Sequence, residues 1–206
     1  LDNKDEIAVF TEPASVAHHA FKLARQDRKF DTVLILGLGP VGILLASWCK
    51  LNNIKTVIGV DRNENRFKNF KDLGFKNIID TSKEDINLKV DEYTNNEKVE
   101  VAFECSGSEI LLNDGIMNLK KSGKIIVLSN QIKDTTLSHK TLNKILRQEI
   151  QIKGSWSSVI EPFNEWEETI DLMNKNKFII QNLISHNFKF SDAPHLFKSM
   201  YNKDFK

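Results

Sequence analysis

Apolar residues fall along this 206-residue chain in two alternating rhythms. Short unbroken runs, TVLIL (32–36), TVIGV (56–60), NII (77–79), VEVAFE (99–104), KIIVLS (124–129) and IQIKGS (150–155), have the β-branched and aliphatic character of strands buried on both faces. Between them, Val41, Leu44, Leu45 and Trp48 recur at helical spacing, as do Phe67, Phe70 and Leu73, and more loosely Ile110, Leu111, Ile116 and Leu119. Asn63 stands where a side-chain oxygen caps the second of these helices, and Gly74 where a left-handed residue ends it. Strands that alternate with helices predict an α/β fold with a doubly wound, six-stranded parallel sheet. The last stretch adds a helix at EWEETIDLMNKN, a strand-like ISHNFKF and a final helix from Asp192 onward. No internal repeat or low-complexity linker interrupts the pattern.

Composition changes this picture little. The 40% hydrophobic residues suffice for a core, and 29 Lys and Arg against 28 Asp and Glu leave a net charge of +1. That balance gives no electrostatic reason to expect nucleic acid or an acidic membrane surface as a partner. No apolar run approaches the roughly 20 residues of a membrane span, and no signal-peptide pattern is present, so the expected location is cytoplasmic. Cys49 and Cys105 lie far apart with no CxxC partner and are expected as small core residues.

The chemistry starts at ILGLGPVG. Gly37, Gly39 and Gly42 form GxGxxG between the first strand and a helix whose first turn holds Pro40. In such a turn the first glycine permits the bend, the second leaves room for a pyrophosphate, and the third lets helix and strand pack closely. Exposed amides and the helix dipole then hold the phosphates. Asp61, 19 residues after Gly42 at the end of the second strand, can accept hydrogen bonds from both hydroxyls of an adenosine ribose and repel a 2′-phosphate. The pattern points to NAD on a Rossmann-type domain rather than NADP, with Arg62 beside the acid. The alternatives are a loop that binds nothing and a methyltransferase loop for S-adenosylmethionine.

With these residues the chain resembles the coenzyme domain of the zinc-dependent medium-chain dehydrogenases. EPASVAHHAFKLA (12–24), GLGPVG, VDRNENR (60–66) and ECSG (104–107) each resemble a family segment. KGSWSS (153–158) followed by EWEETIDLM resembles the polyol branch, of the galactitol-1-phosphate 5-dehydrogenase and sorbitol dehydrogenase type. The resemblance implies that Gly37, Gly39, Pro40, Val41 and Gly42 touch the pyrophosphate, Asp61 the ribose, and Arg66 the edge of the adenine pocket. It implies a nicotinamide pocket lined by Cys105, Ser106, Gly107, Ser129, Asn130, Ser155, Trp156 and Ser157. At VLSNQ the sequence departs from the family, whose fifth strand commonly ends in glycine.

The resemblance also implies that Glu12 of the EP motif faces a catalytic Zn2+ ion or its water, as a catalytic residue and metal ligand. From spacing alone, Glu12 before Pro13 reads as an acid favoured at a helix start, and it is the resemblance that reverses this. His18 and His19 point about 100° apart on one helix and cannot share an ion; His19 is expected to pack and His18 to face solvent. His186 and His195 are expected to be partly buried. A catalytic zinc needs three protein ligands, and no such set is legible. The expectation is therefore a fragment of a larger dehydrogenase: residues 1–25 a linker helix from a GroES-like catalytic domain, 26–160 the NAD domain, and 161–206 helices returning toward the catalytic domain. The implied reaction is oxidation of a secondary alcohol of a polyol or sugar-alcohol phosphate by NAD, in a homodimer or homotetramer formed through the sixth strand. A zinc-free quinone reductase and a stand-alone NAD-sensing domain are the alternatives.

Overall fold

In a computed structural model, residues 8–131, 133–162, 164–175, 183–184 and 186–202 are described. Six strands, β1 (Thr32–Leu36), β2 (Thr56–Asp61), β3 (Asn77–Asp80), β4 (Val99–Glu104), β5 (Leu119–Val127) and β6 (Gln151–Gly154), form one sheet. All pairings are parallel, and the order is β3-β2-β1-β4-β5-β6. This is the doubly wound order, in which the strand sequence reverses between β1 and β4 and leaves a crevice at their carboxyl ends. The central register pairs Val33 with Val57 on one side and Val101 on the other, so β1 is apolar on both faces and buried from Val33 to Leu36.

Helices flank the sheet: α1 (Thr11–Arg25), α2 (Pro40–Leu51), α3 (Glu64–Asp72), α4 (Ile86–Thr94), α5 (Glu109–Met117), α6 (His139–Gln148) and α7 (Glu165–Asn174), followed by α8 (Ala193–Tyr201), which buries none of its residues. One core, built around Val33, Ile35, Leu44, Leu45, Trp48 and Phe103, also takes in Ala14, Ala17 and Phe21 of α1. The other lies beneath Leu34, Leu36, Ile58, Val60, Ala102 and Ile125. Side chains begin the helices where the sequence supplies them. Asn63 accepts from the Asn65 amide at 3.1 Å, and Asp85, Ser108, Ser138 and Asn164 do the same for α4 to α7. Gly74, at φ +92°, follows α3 in the left-handed region that a Cβ disfavours.

Several local expectations need correction. β5 begins at Leu119, five residues before the expected start, because Leu119 pairs with Val99 before a register shift lets Lys124 pair with Val101. It ends at Val127, so Leu128 and Ser129 lie beyond the strand. Ile110 is 72% exposed and Leu119 is a strand residue; of that loose stripe Ile116 is buried and Leu111 partly so. The described residues of ISHNFKF contain no strand, and Phe190 begins a short 3-10 turn, Phe190–Asp192. Residues 1–7 and 203–206, which the expected outer segments include, lie outside the described residues, as do Ser185 and Asn176. No helix is long and apolar enough to cross a membrane among the described residues.

Candidate functional site

The three glycines meet three different demands. Gly37 follows β1 at φ +100°, and a Cβ there would lie 3.1 Å from Ser106 Cβ and 3.3 Å from the Cys105 carbonyl. Gly42, in the first turn of α2, would drive a Cβ to 1.9 Å from the Gly37 carbonyl oxygen, so helix and loop touch only because the side chain is absent. Gly39 is different. Its φ of −67° suits any residue, and a Cβ would meet nothing within 4 Å. Neither backbone strain nor internal packing asks for glycine at 39, whereas a phosphate drawn close to the backbone does. Pro40 follows at the first helical position and Val41 is half-buried beside it.

Asp61 ends β2 with only 5% exposure, and its carboxylate organises the neighbouring turn. Oδ1 accepts the Arg62 and Asn63 amides at 2.8 and 2.9 Å; Oδ2 accepts the Leu38 amide at 2.8 Å and Arg66 Nη1 at 3.0 Å. A carboxylate offers about four lone-pair sites, so these partners fill it. Arg66 is the exchangeable one, since its side chain is half exposed and the other three are backbone amides. Arg62 is exposed, with its amide rather than its guanidinium on Asp61.

The loops after β4 and β5 are joined by a residue the sequence reading did not single out. Glu104 is 0% exposed, yet its Oε1 accepts the amides of Ser106 (2.8 Å) and Gly107 (3.0 Å) and the Ser106 hydroxyl (2.5 Å). Its Oε2 accepts the Ser129 hydroxyl and, at 3.3 Å, Gln131 Nε2. Gly107 N also donates to Ser129 Oγ at 2.8 Å. Ser129, within the VLSNQ segment, therefore has a structural partner. Gly107 itself lies at φ +68°, where a Cβ would come within 2.7 Å of the Asn130 carbonyl oxygen. Cys105 is half-buried, and burial, helped by the Glu104 charge, pushes its thiol well above the usual range. An acidic residue directly after the apolar run Val101–Phe103, with Ser106 and Gly107 close behind, was the available signal.

Past β6, Ser155 is buried, with its amide on the Val127 carbonyl at 2.9 Å and its hydroxyl without a hydrogen-bond partner among the described residues. Trp156 is 79% exposed, and Ser157 is exposed at φ +60°. The structure thus gathers the segments after β1, β4, β5 and β6 at one end of the sheet, with Asp61 at the same end of β2.

Glu12 lies in the first turn of α1 and is exposed. No group of three or more His, Cys, Asp or Glu among the described residues can hold a metal ion. His18, expected at the surface, is buried: its ring stacks on Trp48 of α2 at 3.8 Å, and Nε2 lies 3.3 Å from Glu168 of α7. α1 is covered by α2 on one side and α7 on another, which encloses both histidines. His19 is half-buried against Glu165, whereas His186 and His195 are exposed rather than partly buried.

Desolvation lowers the His18 pKa; Glu168 and Glu165 oppose the shift and Lys22 adds to it. Below about pH 6.5 the unfolded histidine takes up a proton that the folded one resists. Stability should therefore be full above that value and fall as the pH drops toward the lower folded pKa. Urea midpoints measured near pH 7.5 and near pH 5 should show a smaller drop for His18→Gln than for the unsubstituted protein; identical drops would refute the assignment.

Comparison with known proteins gives this geometry a lineage. Sorbitol dehydrogenase of Halalkalibacterium halodurans is 31% identical over 199 residues, covering 95% of this chain and 56% of its own length. (R,R)-butanediol dehydrogenase of Neisseria gonorrhoeae is 29% identical over 184 residues, covering 88% and 49%. The crystal structure of galactitol-1-phosphate dehydrogenase from Escherichia coli superposes with a TM-score of 0.87 at 23% identity, over 97% of this chain and 58% of that one. The chain thus spans about half the length of the curated relatives it matches. Residues 40–175 match the sequence profile described as "Zinc-binding dehydrogenase", which covers the sheet from α2 to α7 and is enough to conclude that this chain belongs to the zinc-binding dehydrogenase family.

Proposed function

We propose that this chain is the NAD-binding half of a zinc-dependent dehydrogenase that oxidises a secondary alcohol of a polyol or sugar-alcohol phosphate. The observation that carries the NAD reading is Gly39, the N-cap of α2, where φ suits any residue and a Cβ would meet nothing within 4 Å, so that the glycine leaves open space against the helix N-terminus. Bound NAD would supply the nicotinamide that accepts the hydride. The residues of this chain bind and orient. Gly37, Gly39, Pro40, Val41 and Gly42 would leave room for the pyrophosphate against the amides that start α2. Asp61 would accept the ribose hydroxyls as Arg66 moves off Oδ2, and its charge would disfavour a 2′-phosphate. Arg62 would flank the ribose and Arg66 the adenine.

At the other end, Cys105, Ser106, Gly107, Ser129 and Asn130 would line the nicotinamide pocket, with Glu104 holding their backbones in register. Ser155, Trp156 and Ser157 would run beside the ring, where the unpartnered Ser155 hydroxyl is available to a carboxamide. Glu12 would be this chain's contribution to a Zn2+ site whose other ligands come from the remainder of the parent enzyme. The uncovered β6 edge, with Ile152 47% exposed and Leu142 and Leu146 exposed on the preceding helix, supports pairing into a homodimer or homotetramer.

Cofactor titration tests the reading. NAD should bind more tightly than NADP, and Asp61→Asn, which removes the charge but keeps an acceptor, should weaken NAD by about 2 kcal/mol, roughly thirtyfold, and narrow the gap. Equal affinity for the two cofactors in the unsubstituted protein would reject it.

A further inference from the structure

We infer that Glu165 is a positioning residue for the cofactor's nicotinamide end, an inference that rests on the dinucleotide reading above. Glu165 opens α7, where an acidic side chain is ordinarily satisfied at the surface by the helix dipole, yet it is only 3% exposed. A buried carboxylate is costly unless its oxygens are occupied, and both are. Oε2 accepts the Val159 amide at 2.7 Å, while the Glu165 amide donates to the Val159 carbonyl at 3.0 Å, a two-bond clasp on one loop residue. Oε1 lies 3.2 Å from His19 Nδ1 and 3.8 Å from Lys22 Nζ, both on α1. The adjacent Trp166 adds a third tie to the loop, its indole N–H donating to Ser158 Oγ at 2.7 Å.

One buried side chain thus fixes the loop that leaves β6 to the helix that carries Glu12. The loop needs such a tie. Ser157 sits at φ +60°, a conformation that costs a serine free energy and persists only where its neighbours impose it. The bonds to Ser158 and Val159 anchor the residues directly after Ser157, and β6 anchors those before Ser155. The span between these anchors carries Ser155, Trp156 and Ser157. Loosening the Glu165 end would let that span move while leaving the glycine loop and Asp61, on other strands, in place.

The test compares two ligands that share the adenosine and pyrophosphate but differ at the nicotinamide: NADH and ADP-ribose. In the unsubstituted protein both should bind. Glu165→Gln, which keeps one acceptor oxygen in place of two and removes the charge beside Lys22, should weaken NADH by about tenfold and ADP-ribose by less than about twofold. Trp166→Phe keeps the ring packing and removes only the bond to Ser158; it should show the same split at smaller size, and serves if the Glu165 variant does not fold. Equal losses of NADH and ADP-ribose would mean that Glu165 merely stabilises the fold, and no change in either would mean that the clasp is idle; both overturn the inference. Failure of ADP-ribose to bind the unsubstituted protein would remove the dinucleotide reading and this inference with it.

Discussion

Replacing Glu104 with alanine should lower the stability of the protein by about 3 kcal/mol and weaken NADH markedly more than ADP-ribose. The side chain is fully buried and accepts from Ser106, Gly107, Ser129 and Gln131. Hydrogen bonds to a charged acceptor contribute roughly 1.5–3 kcal/mol each, but removing the carboxylate also relieves its desolvation, and Gly107 N keeps Ser129 Oγ as a second partner. The net loss is therefore well below the sum. Glu104→Gln, of equal size but with a single acceptor oxygen and no charge, should lose about half as much. Denaturant midpoints and the two binding constants give the comparison; an unaltered midpoint in the alanine variant would show that the network contributes nothing to the fold.

A larger effect is expected for Gly42→Ala. The new Cβ would stand 1.9 Å from the Gly37 carbonyl oxygen and 3.0 Å from its carbon, and both are backbone atoms of the same tight loop. No side-chain rotamer can relieve that contact, so α2 must move away from β1. A loss of at least about 3 kcal/mol is expected, with loss of NAD binding, because the amides at the start of α2 move with the helix. Gly39→Ala is the matching control. Its Cβ enters open space at an ordinary φ, so only the weaker N-cap preference of alanine should count, and the loss of stability should stay within about 1 kcal/mol while NAD binding falls. Calorimetric unfolding and NAD titration on the pair separate a glycine required by the fold from one required by a ligand. Tight NAD binding by Gly39→Ala would remove the main support for the dinucleotide site.

The sequence by itself determined the six strands, several of the helices and the glycine turn after the first strand, but gave no signal for the helices at Ile86–Thr94 and His139–Gln148. Buried strands announce themselves as apolar runs, Asn63 and Gly74 act through their own neighbouring backbone, and the places of Gly37, Gly42 and Asp61 follow from a strand, a turn and a helix adjacent in the chain. These signals are local, so they survive without knowledge of the packing. What the tertiary structure decided are the relations between distant residues. Helical angles separate His18 from His19 but cannot show that α2 and α7 close over both, which is why His18 is stacked on Trp48 instead of facing water. Pattern marks the core of β5, but its early start depends on Leu119 finding Val99, and the helical rhythm through Ile110 ignores that this position faces outward. Glu104 reads as the polar end of a strand until Ser129, 25 positions later, is brought against it. Glu165 reads as a helix-start acid until α1 arrives from 146 positions away. Periodicity reports which side of an element is apolar, whereas the partner of a buried charge is fixed only when packing removes water and leaves a particular donor within reach.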